Sequence, residues 1–278
     1  MTKSILVILL LMLALLSLSG KPRAAAAVNL QEMLASPVDL TVYSQDRKTV
    51  IGHAHFTVKQ SAETVEILGD TRYLDGQRDW EKVLLQYHHP NPIPLLKSFQ
   101  ANYLNSNGSP QLIEKADVES GAASCRWSNQ YDDSFYEDTL DFPPDTYVGA
   151  ASVVPLQYAL QLGSQTARFH VFDCAPKPNI YAIDAKLEDG VARWSMYPGD
   201  LAQMGLVPDL GWLNYVAKPF IPDISVWFNP RQAFQYIGTA KDRYYRGESM
   251  VLVRKHEHQL RPGTAEQGTS STVVDSAK

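Results

Sequence analysis

The chain has 278 residues, of which 45% are hydrophobic and 20% charged, and a formal net charge of −5 at pH 7. An acidic chain without basic runs excludes nucleic acid as an expected partner and disfavours electrostatic docking on anionic lipid. Two cysteines, Cys125 and Cys174, are too few for a disulfide-rich scaffold, so a hydrophobic core must carry the fold.

Residues 1–27 read as a secretory signal peptide. Lys3 supplies the positive start, residues 5–18 are apolar apart from Ser17, and Ala24 to Ala27 offer a small-residue cleavage site before Val28. Lys21, Pro22 and Arg23 separate the apolar stretch from those alanines, so cleavage after Ser19 stays open. The competing reading is an uncleaved anchor, but a spanning helix needs roughly 20 apolar residues. No later run approaches that length, so no transmembrane segment is expected after cleavage, and the location is periplasmic or secreted. Lys3, Lys21 and Arg23 leave with the signal, which makes the remainder more acidic.

Residues 28–260 read as a single β-rich exported domain. Period-2 alternation marks half-buried strands at 39–44, 50–59, 63–68, 80–87, 111–118 and 124–131. More follow at 166–174, 179–187, 190–197, 224–228, 233–238 and 249–254. In the clearest, Val50, Gly52, Ala54, Phe56 and Val58 face one way, and His53, His55 and Lys59 face the other. Turn residues separate the runs at Asp75-Gly76, at Asn107-Gly108-Ser109-Pro110 and at Arg246-Gly247-Glu248. The spacing of Val154, Tyr158 and Leu162 predicts a helix over 151–162, with Pro155 in its first turn and Gly163 at its end. A single helical turn is expected at 200–205. Connections too short for crossover helices make the sheet antiparallel. Residues 261–278, rich in Gly, Ser, Thr and Ala, read as a disordered tail.

The order of these features resembles a family of exported bacterial β-rich domains of unknown function. A strand carrying Ile51-Gly52 opens the domain, and residues 145–162 lead into a strand at 168–173. Pro222-Asp223-Ile224-Ser225-Val226-Trp227-Phe228 is then followed by 234–238 and 250–253. The resemblance spans about residues 40–254. It implies an architecture similar to periplasmic lipoprotein and lipid carriers, mainly β. The expected fold is a large curved antiparallel sheet, a half-barrel or open barrel, with one or two short helices. It implies no catalytic residues.

Chemistry is sparse. No nucleophile elbow, zinc-protease helix, phosphate loop or CxxC is present, and no cofactor is expected. In an exported chain Cys125 and Cys174 are expected to form a disulfide. His53 and His55 share one strand face, a metal-ligand spacing that needs a third donor, with His88, His89 or His170 as candidates. Against it stands an ordinary polar strand face. Trp127, Trp194, Trp212, Tyr215 and Trp227 fall in or near strands and are candidates to line a groove for an apolar or lipid-like ligand. Against that stands ordinary aromatic packing in strands. The leading expectation is therefore a non-enzymatic envelope protein that binds such a ligand. The alternatives are an exported hydrolase of an envelope polymer, drawing on the acids between Asp132 and Asp145, or a structural, protein-interaction module. The oligomeric state stays open.

Overall fold

The computed structural model describes residues 28–128, 133–189, 192–194, 197–209, 224–244 and 247–255. Residues 1–27, Trp212, Tyr215, His256, His258 and residues 261–278 lie outside the described residues.

The chain opens with a short helix, α1 (Leu30–Met33). A meander follows: β1 (Val38–Ser44), β2 (Val50–Gln60), β3 (Thr64–Tyr73), β4 (Arg78–Gln86), β5 (Leu95–Leu104), β6 (Pro110–Asp117), β7 (Ala122–Trp127) and β8 (Phe135–Thr139). The short β9 (Thr146–Tyr147) leads through a 3₁₀ turn, Gly149–Ser152, into helix α2 (Val153–Gln161). The second half holds β10 (Thr166–Cys174), β11 (Pro178–Leu187), β12 (Ala192–Trp194), β13 (Tyr197–Pro208), β14 (Ile224–Asn229), β15 (Gln235–Asp242) and β16 (Ser249–Arg254).

One curved sheet runs in the order β8-β7-β6-β5-β4-β3-β2-β1-β16-β15-β14-β13-β11-β10-β9, with β12 paired to β13 alone. Its midline is the antiparallel pair of β1 and β16, where Val42 faces Leu252. Every neighbouring pair is antiparallel except β9 with β10. The two ends curl round and meet through side chains, with no strand pairing between them among the described residues. Cys125 of β7 and Cys174 of β10 form the expected disulfide, with Cα atoms 5.8 Å apart. Beside it the Trp127 indole N–H donates to the Pro176 carbonyl at 2.7 Å, and Phe99 meets Phe172 edge-on at 6.3 Å. The fold is thus an open barrel with a covalent seam.

Alternation sets the two faces. On β2, Gly52, Ala54 and Val58 are buried while His53, His55 and Lys59 are exposed, as their phase predicts. The inner face is filled: Phe99, Leu112, Phe169, Phe172 and Phe228 are each no more than 4% exposed. A second cluster lies apart from this core, where Tyr197, Leu201, Trp227, Ile237, Val251 and Val253 pack together. Alternation along β14 turns Val226 and Phe228 into the main core and Trp227 into this second cluster.

Two expectations need correction. Helix α2 forms where predicted, but it buries Val154, Leu156, Gln157 and Leu160, and Leu162 is 69% exposed. Gly163 ends it at φ +79°, and Ser164 N–H closes back on the Ala159 carbonyl. Residues 200–205 are not helical: they belong to β13, where Ala202 and Met204 pair with Phe228 and Val226. Asp200 resembles a helix cap in the sequence, but its carboxylate takes an ion pair from Arg231 at 3.2 Å.

Candidate functional site

The inner face is apolar except along one band, where β4, β5, β6, β10 and β15 contribute polar side chains. Asp79 and Glu81 share the phase of the buried Val83 and Leu85 on β4, and Glu114 lies between Leu112 and Ala116 on β6. Glu114 is 4% exposed and accepts a hydrogen bond from the Tyr103 hydroxyl at 3.3 Å. Glu81 accepts the Ala150 N–H at 2.9 Å. Gly149, at φ +52°, makes room for that carboxylate, because a Cβ there would collide with it.

Desolvation dominates the electrostatics of this band. Burial pushes the Glu114 carboxyl well above its ordinary value, and the neighbouring Asp173 charge pushes it further. Burial likewise raises Asp173 and Glu81, against the pull of Lys241 on both. Tyr103 is raised by burial and by the carboxylates around it. Acids held this way cost stability when they ionise.

The sign follows from linkage. A raised carboxyl binds its proton more tightly folded than unfolded, so stability declines as pH climbs from the ordinary value of 4.5 towards the folded one. Glu114→Gln removes that ionisation and keeps an acceptor for Tyr103. We expect it to stabilise the protein by about 1–3 kcal/mol at pH 8 and to change little at pH 4. Urea unfolding at both pH values measures the difference. A Glu114→Gln protein less stable than wild type at pH 8 would contradict the assignment.

Towards the rim the band ends on Arg243, whose side chain is 7% exposed. Its Nε donates to both Asp79 oxygens at 3.0 and 2.9 Å, Nη1 donates to Gln77, and Nη2 donates to Asp79 and to the Leu104 carbonyl. Tyr73 donates its hydroxyl to Asp79 at 2.7 Å, and its ring lies 4.5 Å from the guanidinium. Burial alone would lower the Arg243 pKa, but Asp79 overrides it and the net shift is upward.

Above this pair a cleft of about 180 Å³ opens at the barrel rim. The start of β2 gives it Val50 and Ile51. The end of β3 and the β3–β4 turn give Tyr73, Leu74, Asp75 and Gln77, and the β15–β16 turn and the start of β16 give Glu248 and Met250. Leu74 is 70% and Val50 37% exposed, so two of the large apolar side chains left in solvent stand at this mouth.

Among the described residues, those singled out in the sequence do not converge here. Trp127 and Trp227 are both buried but belong to different clusters, and Trp227 donates its N–H to Gln203 at 2.8 Å. The side chain of Trp194 lies outside the described residues. The expected apolar groove on the concave face is occupied by the protein's own side chains. His53 and His55 are exposed on β2, and the His55 ring is bonded to Asp39 at 2.8 Å. Among the described residues no three His, Cys, Asp or Glu side chains gather as a metal site would require. Of the acidic stretch, Asp133, Glu137, Asp138 and Asp141 are exposed, while Asp145 meets His170 at 2.7 Å. The interior acids were missed, although a charged residue in phase with buried apolar neighbours was a readable signal.

By fold and site this is a mainly β, open-barrel domain with a packed interior and a rim cleft. No family model matches the sequence, and no curated protein matches it. Among solved structures the chain is similar to a beta-barrel-like protein of domain of unknown function DUF1849 from Brucella abortus. The identity is 10%, the match covers 79% of this chain and 96% of that one, and the TM-score is 0.42. Among the described residues no helix is long and apolar enough to cross a membrane.

Proposed function

We propose that the chain is an exported, non-enzymatic binding domain that takes a small ligand in the rim cleft. The observation that carries this reading is the placement of exposed apolar surface, Leu74 and Val50, around a concavity floored by the fixed Arg243–Asp79 pair. A preformed concavity with an apolar wall and a few fixed polar groups is the usual form of a ligand site. The packed inner face favours a small molecule at the rim over a lipid in the concavity. The signal-like residues 1–27 and a disulfide suited to an oxidising compartment support export.

Leu74→Arg tests the site at little cost to folding, because Leu74 is exposed. The variant lays a long side chain across the mouth. Small aromatic fragments of mixed charge that give saturation-transfer signals with the wild type should lose them with Leu74→Arg. Signals that persist unchanged would place binding elsewhere. For export, N-terminal sequencing of the protein from expressing cells should begin at Val28. A cytosolic chain that keeps Met1 would contradict it.

A further inference from the structure

The chemistry of the cleft selects a ligand charge. Arg243 is the cation among its lining residues, and its donors are taken by Asp79, Gln77 and the Leu104 carbonyl. Its charge is compensated by the Asp79 carboxylate beneath it. An anionic ligand would find no uncompensated positive charge among the described lining residues.

The negative charges are differently placed. Asp75 stands at the β3–β4 turn, where Gln77 donates its backbone N–H at 3.0 Å and its side-chain amide at 2.7 Å. Neither donor is charged, so the carboxylate keeps its field. Glu248, on the opposite turn, is exposed, and its carboxylate has no hydrogen bond or ion pair among the described residues. Two carboxylates from separate hairpins therefore flank an apolar wall of Val50, Leu74 and Met250. The volume, about 180 Å³, falls below the roughly 300–1,000 Å³ of sites for drug-sized ligands, which favours a small ligand.

We propose that the rim cleft binds a small organic cation, an ammonium group on a short apolar or aromatic stem. This rests on the reading of the cleft as the ligand site. The stem lies on Leu74, Val50 and Met250, and the ammonium lies between Asp75 and Glu248. Exposed ion pairs are individually weak, so selectivity for charge comes from attraction of the cation and repulsion of the anion together.

The test uses three molecules of nearly one shape: phenethylammonium, 2-phenylethanol and 3-phenylpropionate, each titrated into the mature chain at low and high salt. Phenethylammonium should bind at least about tenfold more tightly than 3-phenylpropionate, and the gap should shrink at 1 M salt. Glu248→Gln should weaken phenethylammonium about three- to fivefold and leave 2-phenylethanol unchanged. If 2-phenylethanol binds at the cleft and the ammonium gains nothing over the carboxylate, the ligand class is overturned while the cleft remains the site. If none of the three binds, the cleft reading falls as well.

Discussion

Replacing Cys125 and Cys174 together by alanine should lower the stability of the fold by about 4 kcal/mol. The two residues are separated by 49 positions, and a loop of that length restricts the unfolded chain by roughly this amount. The position adds a structural consequence. The bond joins β7 to β10 where the ends of the sheet meet through side chains, beside Trp127, Phe99 and Phe172. Its removal should therefore raise amide exchange first in β7, β8 and β10, while β1 and β16 at the midline stay protected. Urea unfolding gives the energy and hydrogen exchange the location. A double variant as stable as wild type, or one that loosens uniformly, would show that the seam does not depend on the bond.

Arg243→Ala should cost a similar amount, about 3–5 kcal/mol, for a different reason. The pair is buried, at 7% exposure for Arg243 and 13% for Asp79, so removing the cation strands a carboxylate away from water. Most of the loss is therefore the penalty on Asp79. Combining Arg243→Met with Asp79→Leu removes both charges and should recover most of the stability, as apolar replacements of buried pairs do. Chemical denaturation of wild type and the two variants decides it. If the double variant is no better than Arg243→Ala, the loss comes from the contacts of the guanidinium with Tyr73, Gln77 and Leu104.

Much of the strand framework was legible because alternation is local. Residues 166–174 match β10 at both ends, since no bulge interrupts their period. Where bulges intervene, the pattern breaks. The strand β5 has a register shift between Tyr103 and Leu104 facing Pro110, and another opposite Leu84 and Leu85, and the alternation there passes unseen. In β13 the spacing of Leu201, Met204 and Gly205 after Asp200 imitates a capped helical turn, and pairing with β14 overrides it. The disulfide was legible because the chain's two cysteines have only one another as partners. The aromatics were not: alternation sends Trp227 and Phe228 into different clusters, and a strand buried on both faces, as β14 is from Ser225 to Phe228, has no apolar–polar contrast to say which face meets which cluster. The cleft has no local signal. It forms where hairpins ending at Tyr73 and Asp242 approach, and their separation in the sequence hides it.

The central claim is that ligand enters at the rim and not within the barrel. Amide chemical-shift mapping of the isotope-labelled protein, titrated with phenethylammonium and separately with 2-phenylethanol, tests it most directly. The shifts should gather at Val50, Ile51, Leu74, Asp75, Gln77, Glu248 and Met250, and the amides of Phe99, Leu112, Phe172 and Phe228 should stay in place. Shifts concentrated on those inner-face residues would contradict the account and restore a ligand to the concavity of the sheet.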